Sequence, residues 1–243
     1  MKIALIGYGA MGKLIARLAV ERGHEIAVVC TSPRVSKGEI DELLVSPLLT
    51  RGLPQRDVLA ACDVAIDFTH ADGVRRNVEE CVAAGVPLVE GTTGWNSERN
   101  EIERIVRNGN GAFVFGANFS IGVNLFYRVA DFAAELFAKF PEYEAFIEEQ
   151  HHSRKKDAPS GTAIKLKEVV SKHIEIGDIA ATRAGNIPGT HRIGFDGAAD
   201  QILLEHTARA REGFALGALM AAEWIVGKKG IYEFSHVMDE IIG

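Results

Sequence analysis

The chain has 243 residues, enough to bury a substantial core in one large domain or two smaller ones. Its 27 Lys and Arg against 33 Asp and Glu give a formal net charge of −6, which argues against a nucleic-acid binder and against a partner of anionic membranes. No apolar run approaches the roughly 20 residues of a transmembrane helix, and three cysteines without metal-ligand spacing predict reduced thiols, no metal site and a cytoplasmic location.

The first elements have the pattern of a dinucleotide site. An apolar run at 2–6 is followed by GYGAMG at 7–12, a periodic apolar stretch and a second apolar run at 25–30. Strand, G-x-G-x-x-G, helix and strand within about thirty residues is the context that the fingerprint requires. Its three glycines allow a tight turn, close approach of the pyrophosphate and close packing of helix on strand. We expect the loop and the residue after it to contact the nucleotide: Gly7, Tyr8, Gly9, Ala10, Met11, Gly12 and Lys13.

The residues after the second strand bear on the choice of nucleotide. NAD-type sites usually place an Asp or Glu there to bind the ribose 2′-hydroxyl group, whereas this chain has Cys-Thr-Ser-Pro-Arg at 30–34. A guanidinium group binds phosphate with two parallel hydrogen bonds, so Arg34 suits a 2′-phosphate. We expect Ser32 and Arg34 to contact the nucleotide and NADPH to be preferred. The alternative is a solvated Arg34 and an enzyme that uses NADPH or NADH.

Strand and helix patterns continue to alternate up to residue 120. Strands are predicted at 63–70, 86–95 and 112–120, and helices at 73–85 and 96–109. Repeated βα units predict an α/β domain with a Rossmann-type, doubly wound parallel sheet, whose ligands bind at the carboxyl ends of the strands. We expect three loops at that edge to line a cofactor cleft through Phe68, Thr69, Gly91, Thr92, Thr93, Ala117, Asn118 and Phe119.

The pattern changes in the last half of the chain. A long amphipathic helix is predicted at 121–140, a strand at 143–152 and a helix from Ser160 to about His173. The segment 182–210 alternates polar and apolar residues between Gly-rich turns, which is typical of antiparallel strands.

These patterns predict two domains. We expect a dinucleotide-binding domain at 1–120 and an α+β domain at 121–212 with a mixed, mostly antiparallel sheet, which binds substrate and forms oligomers. The apolar helix that follows, within 213–243, is expected to return and pack on the first domain.

Residues 151–162, HHSRKKDAPSGT, place two imidazoles and three cations directly before a helix start. His151 or His152 can exchange a proton near neutral pH, and Lys155 adds a positive charge. The free backbone N–H groups at the start of the helix suit a carboxylate, and they belong to Ser160, Gly161 and Thr162. The segment predicts a site for a small polyanionic substrate with proton transfer. The alternative is a capped helix beside a solvated basic loop.

The pattern E-x-H-H-x-x-K-x-D-A-P-S-G-T, from Glu149 to Thr162, resembles the signature of the 4-hydroxy-tetrahydrodipicolinate reductase (dihydrodipicolinate reductase) family. The similarity extends to GYGAMG, DFT, GTTG, GANFSIGVN and an R-x-G-x-x-x-G-x-H pattern that begins at Arg183. The resemblance implies a homotetramer that transfers a hydride from nicotinamide to C4 of a cyclic unsaturated imine dicarboxylate, in lysine and diaminopimelate biosynthesis.

Site residues are implied by the same resemblance. His151 matches the general acid or base and Lys155 the proton-donating lysine, while His152, Gly161 and Thr162 match contacts to the substrate carboxylates. The chain departs from the commonest form of the motif at 153–154, where Ser and Arg flank these residues without replacing them.

Two other functions share parts of this pattern. A two-domain dehydrogenase acting on another amino or keto acid would have the same first domain but no need for the HHxxK…SGT arrangement. A nucleotide-sensing binding protein would keep the glycines and lose the proton-transfer residues, and this chain retains both.

Overall fold

The computed structural model describes residues 1–31, 47–53 and 55–243. They form two compact units, one of residues 1–120 and 214–243 and the other of residues 121–213. In the described part of the chain, no helix combines the length and the apolar character needed to cross a bilayer.

The strands, in chain order, are β1 (Lys2–Ile6), β2 (Glu25–Thr31), β3 (Leu48–Arg51), β4 (Val64–Asp67), β5 (Leu88–Glu90), β6 (Ala112–Phe115), β7 (Glu144–His151), β8 (Ala180–Arg183), β9 (Thr190–Asp196), β10 (Gln201–Thr207) and β11 (Gly230–Glu233). The helices are α1 (Ala10–Glu21), α2 (Arg56–Ala60), α3 (Ala71–Ala84), α4 (Arg99–Asn108), α5 (Ile121–Phe137), α6 (Gly161–Val170), α7 (Glu212–Ile225) and α8 (Phe234–Ile242).

The first unit is built on a seven-stranded sheet in the order β11-β6-β5-β4-β1-β2-β3, and every pairing is parallel. The run β3-β2-β1-β4-β5-β6 is the strand order of the doubly wound dinucleotide fold. The predicted Rossmann-type sheet is therefore confirmed. The elements β3, α2 and β11 were not predicted, because each has only four or five residues and none contains a continuous buried apolar run like those of β4, β5 and β6.

The core of the first unit explains why its strands are continuous apolar runs. All residues of β4, β5 and β6 are buried, as expected of strands with helices on both faces. Phe113 of β6 stacks on Phe115, and Trp95 packs edge-on against both rings. Burying one such side chain contributes about 2–3 kcal/mol.

The second unit contains a four-stranded sheet in the order β10-β9-β7-β8. The pairs β10–β9 and β9–β7 are antiparallel and β7–β8 is parallel, which confirms the predicted mixed, mostly antiparallel sheet. Helices α5 and α6 contribute Phe126, Leu166 and Val170 to a core that includes Ile147 and Phe195 of the sheet. This core fixes the position of the end of β7 and the start of α6, where the HHSRKKDAPSGT segment lies.

Candidate functional site

The glycine-rich loop that joins β1 to α1 packs closely against neighbouring backbone atoms. Gly7 has a φ of +96°, and a Cβ there would lie 2.4 Å from the carbonyl oxygen of Phe68. A Cβ at Gly12 would lie 2.1 Å from the carbonyl oxygen of Gly7. Both positions therefore require glycine. Beside them, a Cβ at Gly9 would meet nothing within 4 Å, so the backbone at the start of α1 is open to a ligand.

A cavity of about 460 Å³ lies at the carboxyl edge of the parallel sheet, in front of this loop. Its volume is in the range of ligand pockets. Eight of the predicted cofactor residues line it, namely Gly9, Ala10, Met11, Phe68, Thr69, Gly91, Thr92 and Thr93. His70 and Ala71, which were not predicted, line it as well.

The other predicted cofactor residues have different surroundings. Tyr8 is buried, and the ammonium group of exposed Lys13 lies 5.9 Å from the centre of its ring. Ala117, Asn118 and Phe119 follow β6, and the Phe119 ring packs on Phe234 at 4.7 Å between centroids. Ser32 and Arg34 lie outside the described residues.

In the second unit, the start of α6 is capped by a side chain. Ser160 is the N-cap of α6, and its Oγ accepts a hydrogen bond from the backbone N–H of Ala163 over 3.2 Å. Serine is among the preferred residues at this position because it satisfies an N–H group that the helix leaves free. Gly161 and Thr162 are the first helical residues and present further N–H groups. The Ser160 side chain itself is buried.

A buried carboxylate, Glu149, organises the residues around His151. The two are separated by one residue on β7, so both side chains point to the same face of the sheet. Glu149 Oε1 accepts hydrogen bonds from Arg183 Nη2 over 2.6 Å and from the Ser160 backbone N–H over 3.1 Å. Glu149 Oε2 lies 2.7 Å from His151 Nδ1. Burial raises the pKa of Glu149, but the hydrogen bonds from Arg183 and Ser160, together with His151, outweigh it and lower that pKa.

The two histidines of this cluster have lowered pKa values. Burial lowers the pKa of His151 most; Glu149 opposes the effect, and the positive charges of Lys155 and Arg183 add to it. The ring of His191 lies 5.2 Å from that of His151, and its Nε2 is 3.0 Å from Ser160 Oγ. Burial, followed by the proximity of His151, lowers the pKa of His191 to about 4. Both imidazoles are therefore mainly neutral at pH 7.

The remaining predicted residues lie beside the cluster. Lys155 Nζ is 2.8 Å from Asp157 Oδ1, and the lysine is close enough to His151 to lower its pKa. His152 is half-buried. Donor atoms of Glu149, His151 and His191 lie within 4.8 Å of one another, a spacing that a metal ion could use. The adjacent positive charges of Arg183 and Lys155 favour an anion there instead.

Both units are similar to known proteins. Two family models described as dihydrodipicolinate reductase match the chain, the N-terminus over residues 1–119 and the C-terminus over residues 122–238. The 4-hydroxy-tetrahydrodipicolinate reductase of Christiangramia forsetii is 33% identical over 99% of each chain. That of Archaeoglobus fulgidus is also 33% identical, over 98% of this chain and 100% of the relative.

This chain belongs to the dihydrodipicolinate reductase family. The family predicted from the motifs is thus confirmed. A solved structure described as dipicolinate-bound dihydrodipicolinate reductase from Paenisporosarcina sp. TG-14 shares the fold of this family member, with a TM-score of 0.78 and 22% identity over 97% of this chain and 99% of that one.

No role was predicted for Glu149, Arg183 or His191, although all three stand in motifs that resemble the dihydrodipicolinate reductase family. Register explains their proximity: β7 pairs with two neighbours, so that His151 is opposite Arg183 and Glu149 is opposite His191. The sequence did contain one signal: in a strand, residues two positions apart point to the same face, so Glu149 could have been expected beside His151. Arg183 and His191 are 34 and 42 residues away from Glu149 in the sequence, and only the strand pairing brings them close to it.

Proposed function

We propose that this chain catalyses the NAD(P)H-dependent reduction of 4-hydroxy-tetrahydrodipicolinate, or of the dihydrodipicolinate derived from it, to tetrahydrodipicolinate in lysine and diaminopimelate biosynthesis. The observation that carries the proposal is the pair of buried Glu149 and half-buried His151 beside the capped start of α6, in a member of this reductase family. This arrangement combines a proton-transfer group with an anion-binding helix end.

The nucleotide is held by the first unit in this proposal. The backbone at Gly9 and the start of α1 bind the pyrophosphate, because a helix N-terminus offers free N–H groups and the positive end of its dipole. Gly7 and Gly12 allow the close backbone contacts of this loop, since a Cβ at either position would clash with a carbonyl oxygen. The loops after β4, β5 and β6 flank the nicotinamide. Bound NADPH supplies the hydride.

The residues of the second unit hold the substrate and transfer the proton. Gly161 and Thr162 donate backbone N–H groups to a carboxylate, and His152 and Lys155 bind the dianion, as the family motif implies. Ser160 is buried and stabilises this end of α6 by accepting a hydrogen bond from the Ala163 N–H.

His151 is the general acid or base of the proposal, and Lys155 donates a proton. Glu149 Oε2 lies 2.7 Å from His151 Nδ1, so its charge favours a proton on that nitrogen and leaves Nε2 for proton transfer. A Cβ at Gly189 would lie 3.0 Å from His151 Nε2, so glycine there keeps this nitrogen accessible. Hydride addition to the conjugated imine leaves a negative charge, and the transferred proton neutralises it.

The activity is tested by following NADPH and NADH oxidation, with substrate made in situ from pyruvate and aspartate semialdehyde by the preceding synthase. We expect rapid turnover with NADPH. Nucleotide binding without turnover would contradict the proposal and favour a nucleotide-sensing protein.

We propose that NADPH is preferred over NADH through Arg34. Arg34→Ala is expected to raise the KM for NADPH about tenfold or more and to change that for NADH little, because a charged hydrogen bond to the 2′-phosphate is lost. Steady-state kinetics with both nucleotides measure this. Arg107→Ala, at an exposed position on α4, is the matched control. Equal losses with both nucleotides would exclude recognition of the 2′-phosphate.

We propose a cytoplasmic homotetramer assembled through the mixed sheet of the second unit. Its outer strand β10 exposes Ile202 and Leu203, each 46% accessible in the single chain, as expected of residues that another copy covers. Sedimentation of the purified protein tests the state, and a monomer would exclude it.

A further inference from the structure

Two buried carboxyl groups lie beneath the cavity of the first unit and have no part in the proposed reaction. Asp67 is the last residue of β4 and Glu90 the last residue of β5, and the parallel register places them opposite each other. Both residues are completely buried. Carboxyl groups are almost never fully buried without a partner, so the pair requires a physical explanation.

Each carboxyl group has one oxygen bound by a neighbour. Asn77 Nδ2 donates to Asp67 Oδ2 over 2.5 Å, and the Thr92 backbone N–H donates to Glu90 Oε1 over 2.7 Å. The other two oxygens, Asp67 Oδ1 and Glu90 Oε2, have no further donor within residues 1–31, 47–53 and 55–243. Because Asp67 and Glu90 are opposite each other in the parallel register, their side chains are neighbours on the same face of the sheet, and each affects the pKa of the other. Ionised carboxylates have no proton to donate, so a hydrogen bond between them requires that one of the two is protonated.

The surroundings of the pair do not compensate two negative charges. Among the described residues, no Lys, Arg or His forms an ion pair with Asp67 or Glu90. Within the part of the chain that the structure describes, Cys30 on β2 and Cys81 on α3 are titratable groups near enough to the pair for its charge to affect their pKa. Burial raises the pKa of the Cys30 thiol to about 11 and that of Cys81 well above its ordinary value, so both are neutral and neither supplies a positive charge.

The proton belongs on Glu90. Burial, followed by the charge of Asp67, raises the pKa of Glu90 well above its ordinary value. Burial also raises the pKa of Asp67, but the hydrogen bond from Asn77 and the polar groups of nearby Thr69 favour its ionised form.

The pair is connected to two loops that line the cavity. The Thr92 N–H binds Glu90, and Thr92 Oγ1 accepts a hydrogen bond from the Thr69 backbone N–H over 2.9 Å. Asn77, which binds Asp67, also lies within 3.5 Å of Thr69 Oγ1. A second negative charge in the pair would therefore disturb both Thr69 and Thr92, which line the cavity.

We propose that Glu90 keeps its proton at neutral pH and donates it to Asp67, and that this shared proton positions Thr69 and Thr92 for nucleotide binding. The inference rests on the proposed function, which assigns the nucleotide to this cavity. Asp67 and Glu90 act as positioning residues, since neither lines the cavity itself.

The shared proton is tested by infrared spectroscopy of the full chain without nucleotide. At neutral pH the wild type is expected to show the carbonyl stretch of a buried protonated carboxyl group, and Glu90→Gln is expected to abolish it. Absence of the band in the wild type, or its persistence in Glu90→Gln, would overturn the proposal.

The positioning role is tested by the dissociation constant of NADPH, measured by fluorescence. Glu90→Met keeps the size of the side chain and removes its hydrogen bonds, and we expect the dissociation constant to rise about tenfold. Glu90→Gln retains a donor for Asp67 and an acceptor for Thr92, and it is expected to restore binding to within about threefold of wild type. The KM for nucleotide should follow these changes, with a smaller change in kcat.

The pH dependence separates positioning from a general structural role. Wild-type affinity is expected to fall on the alkaline side as Glu90 ionises, and Glu90→Gln is expected to remove that loss. An unchanged alkaline loss in Glu90→Gln would overturn the inference. Nucleotide binding and turnover in a wild type that lacks the infrared band would refute the shared proton and leave the proposed function intact. The band in a protein that binds no nucleotide would refute the positioning role together with the proposed function.

Discussion

At the scale of single residues, the proposed chemistry depends on the carboxylate of Glu149. It favours the protonated form of His151, against burial and two neighbouring positive charges that lower its pKa. Glu149→Gln keeps the size of the side chain and removes the charge. We expect kcat at neutral pH to fall roughly 10- to 100-fold, and any acid limb of the rate profile that reports His151 to move to lower pH. His151→Gln is expected to lower kcat roughly 10²–10⁴-fold and to remove that limb.

The pH–rate profile of each variant, recorded with the same nucleotide, provides the measurement. Glu148→Gln, one residue earlier on β7 and on the opposite face of the sheet, is the matched control. A Glu149→Gln enzyme with the wild-type profile would show that the carboxylate does not control His151. A loss below threefold in His151→Gln would remove this histidine from proton transfer.

At the scale of elements, the start of α6 combines stability with binding. Ser160→Ala removes the cap and one partner of His191, and we expect a loss of about 1–2 kcal/mol in the free energy of unfolding. Because the N–H groups of Gly161 and Thr162 then lose their fixed direction, the KM for substrate is expected to rise more than kcat falls. Chemical denaturation and steady-state kinetics measure the two effects. Ser171→Ala, at the exposed C-cap of the same helix, should change neither. A destabilised Ser160→Ala with unchanged KM would restrict the cap to a structural role.

At the scale of the whole molecule, buried groups in the two units contribute to stability with opposite pH dependence. In the second unit, His191 has a pKa of about 4 when folded and 6.5 when unfolded, so the unfolded chain binds more protons between these values. Its contribution is complete above pH 6.5 and is lost as pH falls to about 4, by roughly 3 kcal/mol. The lowered pKa values of His151 and His206 act in the same direction. In the first unit, the raised pKa of Glu90 gives a contribution that is lost as pH rises.

Denaturation curves at several pH values would measure this dependence. We expect His191→Gln to be less sensitive to acid than the wild type, because its side chain takes up no proton. An identical acid sensitivity of the two proteins would show that His191 does not set the acid limit. His173, which is more exposed and bound to Asp131, provides the control substitution His173→Gln.

Much of the fold could be predicted from the sequence because its signals are local. The glycine spacing at 7–12, the apolar runs of the buried strands and the alternation within 182–210 follow from backbone geometry and from which faces are buried. The same is true of the Ser160 cap, since the residues that form it are neighbours in the chain. The short edge strands β3 and β11 were not predicted, because their residues are exposed or half-buried and lack the continuous apolar run of the equally short β4 and β6.

The sequence by itself determined the fold class, the family and the two segments proposed to bind nucleotide and substrate. Each of these depends on residues that are close together in the chain, so their spacing can be recognised in the sequence without knowledge of the fold. Only the tertiary structure decided which ionisable side chains, far apart in the sequence, lie close enough to interact. Strand register brings Glu149 to Arg183 and His191, and it places Asp67 opposite Glu90. Burial then sets their pKa values, because the energy of a charge depends on the atoms around it in three dimensions.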